Sequence, residues 1–232
     1  LKRELAATDA KDRPAVISTI PRFFARATDK KLAASVVEQV LADYYSPAEV
    51  GVASWTTIGR MRLDTGETAG ALEAAIRGQA LAPKADGPAL LALSLMSPST
   101  PQAEAIIRKY LEGNPRYEVR MDYARALLDT QRYAESAEQL QHVTAEKPDY
   151  SPAWLVRGSL ELQDNKPAVA EKSLMRYIEL ATAAKAAPDA VDGSRGLTQA
   201  YLLLAQIAEQ RKDYAQAEQW LAKIDNADDM VR

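Results

Sequence analysis

The 232-residue sequence contains no cysteine and a single histidine. Without cysteine there is no disulfide framework, no thiol chemistry and no cysteine-ligated metal site. His142 has no second histidine with which to complete a metal site, and its place beside Val143 near the end of a predicted helix indicates a surface or half-buried residue rather than a base. The composition therefore predicts neither a metal nor a cofactor.

Other signs of catalysis are also lacking. Gly66 and Gly70 flank a predicted hairpin turn and are not followed by the Lys-Ser/Thr pair that a phosphate-binding P-loop requires. Carboxylates are plentiful, but pairs such as Asp122 with Asp129 are interpreted as solvated helix faces. We expect a protein that is not an enzyme.

Strong net charge and long apolar runs are missing as well. A formal charge of -3 and a pI near 5.4 give no broad positive field, so nucleic acid is not an expected partner. No apolar run approaches the roughly 18 residues that a membrane span needs. The longest apolar run comprises residues 200–205, followed by Ile207 and Ala208, and is interpreted as the buried face of a helix. The absence of cysteine leaves both cytosol and periplasm open.

What the sequence does contain favours helix nearly everywhere. It has only two phenylalanines and few β-branched runs, whereas Ala, Leu, Glu, Gln, Lys and Arg are abundant. Ser46-Pro47-Ala48-Glu49 predicts a helix start with a capping box, and Thr100-Pro101 and Ser151-Pro152 predict two more starts. Pro83, Pro115 and Pro148, spaced by 32 and 33 residues, are predicted to follow the ends of helices.

The region from Pro115 to Leu180 repeats its own pattern at an offset of 34 residues. Small residues align with small ones and bulky residues with bulky ones; the aligned pairs are Ala124/Gly158, Ser136/Ala170, Leu140/Leu174 and Val143/Tyr177. This alternation predicts two helices per repeat, with small residues where they cross and large ones between repeats.

Two regions fit the pattern less closely. Residues 1–46 predict a short helix and then a helix pair, whose first member carries Val16, Ile17, Ile20, Phe23 and Phe24 inward and is kinked at Pro21. Between Gly158 and Ala205 the chain has 13 residues more than one period, and 181–196 is interpreted as two extra helical turns, ended by Pro188, followed by a polar loop.

Trp55-Thr56-Thr57-Ile58-Gly59 and the segment from Trp154 to Leu180 resemble the tetratricopeptide repeat family. Arg157, Glu161 and Tyr177 depart from its pattern, which prefers Leu, an aromatic residue and Ala at these places. The resemblance implies an all-α, right-handed superhelix of about six antiparallel helix pairs. We predict a degenerate pair at 1–46 and a solenoid at 47–232, with repeats at about 47–85, 86–115, 116–150, 151–192 and 193–228.

With its Tyr-Ala-Arg-Ala-Leu run at Tyr123–Leu127 and its shortened third repeat, the chain also resembles long repeat proteins of proteobacteria that carry an export signal. This similarity implies a bacterial protein of the periplasm or cell envelope, with the cytoplasm as the alternative. Both ends of the sequence look cut from a longer chain.

Family members commonly hold an extended or helical peptide segment in a groove lined by the first helix of each repeat. By position, the resemblance assigns the groove to twelve residues: Thr56, Thr57, Arg60, Met121, Asp122, Arg125, Leu155, Val156, Ser159, Leu202, Leu203 and Gln206. The Lys and Asn that clamp C-terminal carboxylates in this family are missing there. Trp55 and Trp154 occupy the packing position of the motif and are expected in the core.

We therefore expect a protein-protein interaction or assembly scaffold. Two other readings stay open: a helical arm of a larger cell-envelope enzyme, and a self-assembly module. Residues 1–31 carry eight basic and four acidic side chains, whereas 213–232 carry two and five, so head-to-tail homo-oligomers are one outcome the sequence allows.

Overall fold

The computed structural model describes residues 1–113, 116–185 and 194–224, and every regular element in these ranges is a helix. The chain divides into an N-terminal unit, Leu1–Ala126, and a C-terminal unit, Leu127–Arg232. The helices of the N-terminal unit are α1 (Lys2–Ala7), α2 (Arg13–Phe24), α3 (Lys30–Leu41), a 3-10 turn (Ala42–Tyr44), α4 (Ala48–Asp64), α5 (Thr68–Leu81), α6 (Asp86–Ser94), α7 (Pro101–Leu111) and α8 (Tyr117–Asp129), whose last three residues belong to the C-terminal unit. The others are α9 (Tyr133–Glu146), α10 (Ser151–Gln163), α11 (Pro167–Lys185), α12 (Ser194–Gln210) and α13 (Tyr214–Leu221).

Helix α4 is the centre of the N-terminal unit. Ile58 and Met61 are fully buried on it, in one apolar cluster with Ile17 of α2 and Leu41 of α3. Gly59 lets α6 come close, because a Cβ there would lie 2.1 Å from Leu91 Cδ2. The all-α fold of paired helices predicted from the sequence is confirmed.

The C-terminal unit is built around the hairpin of α10 and α11. A Cβ on Gly158 would lie 2.7 Å from Leu174 Cγ and 3.3 Å from the Ala170 carbonyl oxygen, so the two helices cross at small residues as the 34-residue pattern predicts. Leu174 and Tyr177 then pack against Leu204 of α12.

Four hairpins turn in the same way. In each, the second residue past the end of the first helix has a positive φ, between 56° and 83°; these residues are Gly66, Gln131, Asn165 and Lys212. In each case the next amide donates to the carbonyl five residues earlier, which is the hydrogen bond of a Schellman C-cap; the bonds are Glu67 to Arg62, Arg132 to Leu127, Lys166 to Glu161 and Asp213 to Ala208. This repeated turn fixes the antiparallel course of each pair.

Two local predictions need correction. Ser46 does not cap α4, because Pro47 occupies the N-cap position and Ser46 lies one residue too early. Phe23, predicted to point inward, is 71% exposed, since Ile17, Ile20 and Phe24 already fill the buried stripe of α2.

Helix α11 continues to Lys185, consistent with the extra turns predicted there. Pro115, Pro188 and most of the predicted polar loop lie outside the described residues, whereas the last three residues of that loop, 194–196, form the start of α12 instead. The predicted boundaries of the repeats stay predictions.

Candidate functional site

The three groove residues predicted on α4 do not share one exposed face. Arg60 is exposed, whereas Thr57 is buried with its hydroxyl 3.4 Å from the Ile17 carbonyl oxygen of α2. Thr56 is half-buried against α6, where a Cβ on Gly87 would lie 2.5 Å from its Oγ1. Because a helix turns by about 100° per residue, neighbours in sequence can face core and solvent.

On α8 the predicted residues also separate. Met121 is fully buried, whereas Asp122 and Arg125 are exposed and form an ion pair at 3.3 Å along the helix. The pair presents one carboxylate and one guanidinium to solvent, a combination that can exchange its internal contact for contacts with a partner.

The six residues predicted on α10 and α12 all lie in the C-terminal unit. The start of α12 lies close to α10, since a Cβ on Gly196 would be 3.6 Å from Leu155 Cδ2. Leu155 and Leu203 pack partly against one apolar cluster, and Leu202 is 42% exposed. We refer to the six predicted residues together as the α10–α12 face; they are Leu155, Val156, Ser159, Leu202, Leu203 and Gln206.

The α10–α12 face combines apolar surface with open polar groups. Val156 and Ser159 are half-buried, and Gln206 is exposed. Ser159 and Gln206 make no side-chain hydrogen bond to any residue that the structure describes. Their hydroxyl and amide are therefore available to a ligand.

A polar network beside this face was missed from the sequence. Arg157 donates to Glu161 at 2.8 Å and to the Thr144 hydroxyl at 2.9 Å, and Ser173 donates to Glu161 at 2.6 Å. The network joins α9, α10 and α11. Its signal was present, because Arg and Glu four residues apart on a helix face each other.

A second polar network, centred on Arg62, connects helices within the N-terminal unit. Arg62 of α4 makes two bonds to Glu38 of α3, at 2.7 and 3.3 Å, and one to the Gly70 carbonyl oxygen of α5 at 3.0 Å. Its hydrogen bond with Glu38 raises the pKa of Arg62. A cation held by three helices is a tie between them rather than a binding group.

Both tryptophans in the motif position have structural roles. Trp55 is buried, stacked on Tyr45 with ring centroids 4.4 Å apart, and covered by the Arg77 guanidinium at 4.7 Å. Trp154 is half-buried, and its Nε1 donates to the Pro148 carbonyl oxygen at 3.0 Å. Neither ring is a free stacking platform.

In the described ranges, no three His, Cys, Asp or Glu side chains are arranged to hold a metal ion. No described helix combines the length and the apolar character needed to cross a bilayer.

The family model described as tetratricopeptide repeat matches residues 198–228. No curated protein matches the chain at a significant level.

Solved structures with the same fold are numerous, and the three described here are 12–15% identical to this chain. YrrB, described as a TPR protein with an unusual peptide-binding site, is 12% identical, with a TM-score of 0.59 over 84% of this chain and 93% of that one. PilW, a type IV pilus biogenesis factor, is 13% identical, with a TM-score of 0.60 over 97% and 99%. MamA from Desulfovibrio magneticus RS-1 is 15% identical, with a TM-score of 0.55 over 75% and 92%. The match places a tetratricopeptide repeat at residues 198–228, and the solved structures show that the chain shares the fold of tetratricopeptide repeat proteins.

Proposed function

We propose that the chain is a non-enzymatic scaffold that binds an extended or helical segment of a partner protein on its α10–α12 face. The solved structures of similar fold support a role in protein interaction or assembly, since one is described by its peptide-binding site and another as a pilus biogenesis factor. The net charge of -3 favours protein over nucleic acid as the partner. We propose the bacterial periplasm or cell envelope as the compartment, from the similarity to exported repeat proteins.

The observation that carries the proposal is the exposure of Leu202 within the α10–α12 face. Leu202 is 42% exposed and lies on α12 with the half-buried Leu203, on the face completed by Leu155 and Val156 of α10. Covering such apolar surface contributes roughly 25 cal/mol per Å². Peptides bound to grooves also need partners for their backbone groups, which Ser159 and Gln206 supply.

The exposed groups of α4 and α8 are proposed to contribute at a second place, in the N-terminal unit. Arg60, Asp122 and Arg125 are the sequence-assigned groove residues of that unit that are open to solvent. Thr57 and Met121 are buried and act through packing.

Site-specific crosslinking tests the α10–α12 proposal. A photo-reactive amino acid at position 202 of the full-length protein should join a partner in the native cell, whereas the same group at position 175 should not. Met175 is the matched control, because it is similarly exposed, at 45%, on α11. The product is identified by mass spectrometry.

Two substitutions, Leu202→Glu and its control Met175→Glu, distinguish an effect on partner binding from an effect on folding. Leu202→Glu should weaken partner capture at least tenfold without changing the melting temperature, and Met175→Glu should leave capture unchanged. Equal crosslinking from both positions would contradict the proposal, and crosslinks between copies of this chain alone would favour self-assembly instead.

A further inference from the structure

The N-terminal unit contains an apolar cleft that neither the repeat motif nor the predicted groove includes. The cleft has a volume of about 380 Å³ and lies between α2 and α3, with α1 at its edge. Its walls include Val16, Ile20 and Phe23 of α2 and Val37 of α3. The volume is within the range of about 300–1,000 Å³ typical of ligand clefts.

Large apolar side chains beside the cleft are left in water. Phe23 is 71% exposed, and Leu32 and Val36, one turn apart on α3, are 62% and 50% exposed. Single exposed apolar residues are common, but these three form an apolar patch on the two helices that border an apolar cleft, and such patches mark interaction sites. Phe23 connects the two, since it both lines the cleft and protrudes from it.

The turn between α2 and α3 adds positive charge next to this patch. Residues 22–31 hold four cations, Arg22, Arg26, Lys30 and Lys31, and one carboxylate, Asp29, a net charge of +3. Asp29 is already engaged as the cap of α3, accepting from the Leu32 amide at 2.9 Å. None of the four cations has an ion-pair partner among the residues that the structure describes.

Two of these cations lie at the N-terminal end of a helix, where positive charge is electrostatically unfavourable. Lys30 and Lys31 form the start of α3, where the helix dipole already presents a partial positive charge. An incoming carboxylate would relieve this repulsion as well as pair with the lysines. Among the described lining residues the only charged one is Glu4, which belongs to α1.

We infer that this cleft binds an acidic amphipathic helix of a partner protein, with its apolar side chains against Phe23 and in the cleft and its carboxylates on Lys30, Lys31, Arg22 and Arg26. A groove between two helices accepts a third helix through anchors spaced i, i+3 or i+4, and i+7. The concave form favours inserted side chains over the flat surface of an anionic membrane. The inference concerns residues apart from the α10–α12 face, so either proposal can fail alone.

A designed peptide provides the probe. It has about 18 residues, or five helical turns, with Leu on one face and Glu along both sides, and carries a fluorophore. Binding to the full chain is measured by fluorescence anisotropy at about 0.05 M and 0.3 M salt, since screening weakens exposed charge contacts. The expected result is saturable binding that weakens several-fold at the higher salt. A scrambled peptide of the same composition and a peptide with Lys for Glu should not bind.

Variants place the peptide on the cleft. Phe23→Ala should weaken binding about tenfold, as expected for an aromatic anchor. Lys30→Glu with Lys31→Glu should do the same at low salt. The matched controls Tyr214→Ala, exposed at 65% in the C-terminal unit, and Lys109→Glu with Lys172→Glu should leave binding unchanged.

Other outcomes would overturn the inference. Equal binding of the scrambled peptide, or no effect of Phe23→Ala, would show that the cleft does not hold a helix. Binding to phosphatidylglycerol vesicles that needs the same residues, with no peptide binding, would assign the patch to lipid. Concentration-dependent dimers abolished by Phe23→Ala, again without peptide binding, would assign it to a second copy of the chain.

Discussion

The guanidinium of Arg157 and the carboxylate of Glu161 lie 2.8 Å apart on α10, at two positions where the repeat motif prefers Leu and an aromatic residue. Their side chains are only 28% and 14% exposed, so either charge alone would be partly desolvated. Thr144 and Ser173 complete the hydrogen bonds from the two flanking helices. The two departures from the motif therefore compensate each other.

This pairing predicts strong coupling between the two sites. Arg157→Leu and Glu161→Tyr should each destabilise the chain by about 1–2 kcal/mol, less than for a fully buried pair because both groups reach solvent. The double variant restores the motif residues, so its loss in free energy of unfolding should be smaller than the sum of the two single losses. The difference, which is the coupling energy, should be about 1 kcal/mol. Urea unfolding measures all three. Additive losses would show that the network contributes no specific stability.

Gly59 predicts a second stability effect. In Gly59→Ala the new Cβ would lie 2.1 Å from Leu91 Cδ2 and 3.2 Å from Ala74 Cβ, so α6 must move away from α4. The packing loss should exceed the gain of up to about 1 kcal/mol in helix propensity, and we expect a net destabilisation of about 1–2 kcal/mol. Gly113→Ala is the control, because its nearest contact would be 3.4 Å. Thermal unfolding of both variants tests this prediction. Equal melting temperatures for the two variants would contradict the close approach of α6 to α4.

The sequence predicts the fold correctly where the spacing of small and apolar residues on one helix face is enough to place a helix crossing. Gly158 and Ala170 were predicted at a crossing because small residues recur there at the repeat period, and the structure places them in contact. The Schellman turns were not predicted, since Gln131 and Lys212 are not residues that ordinarily favour positive φ. There the tertiary packing of the hairpin overrides local preference.

The candidate site is less predictable because it depends on which helix covers which face. Thr57 and Met121 carry the right spacing for a groove, yet α2 covers Thr57 and Met121 is fully buried. Phe23 carries the right spacing for the core, yet Ile17, Ile20 and Phe24 take up the buried stripe. Residue spacing predicts which side chains share a helix face. Which face is exposed to solvent depends on how the neighbouring helices pack, and spacing does not predict that.

Tyr177 predicts a dependence of stability on alkaline pH. Burial raises the pKa of Tyr177 above its ordinary value near 10. Between the two values the unfolded chain loses the phenolic proton while the folded chain keeps it, so the free energy of unfolding falls as pH rises above about 10. Tyr177→Phe should lose less stability between about pH 9 and pH 11 than the parent chain, measured by urea unfolding. Tyr214→Phe, which changes an exposed residue, should follow the parent curve; identical curves for all three would exclude a role for Tyr177.

The ion pair of Asp122 and Arg125 predicts a loss of binding without a loss of stability. Both side chains are about half exposed, and exposed pairs contribute only about 0–1 kcal/mol, so Asp122→Ala with Arg125→Ala should leave the helical signal and the melting temperature nearly unchanged. If α8 contributes to the second binding place proposed in the N-terminal unit, affinity capture of partners from the native cell should weaken. The matched control is Arg176→Ala with Glu179→Ala, which removes an equivalent pair on α11. Equal capture by both double variants would show that α8 does not contribute to binding.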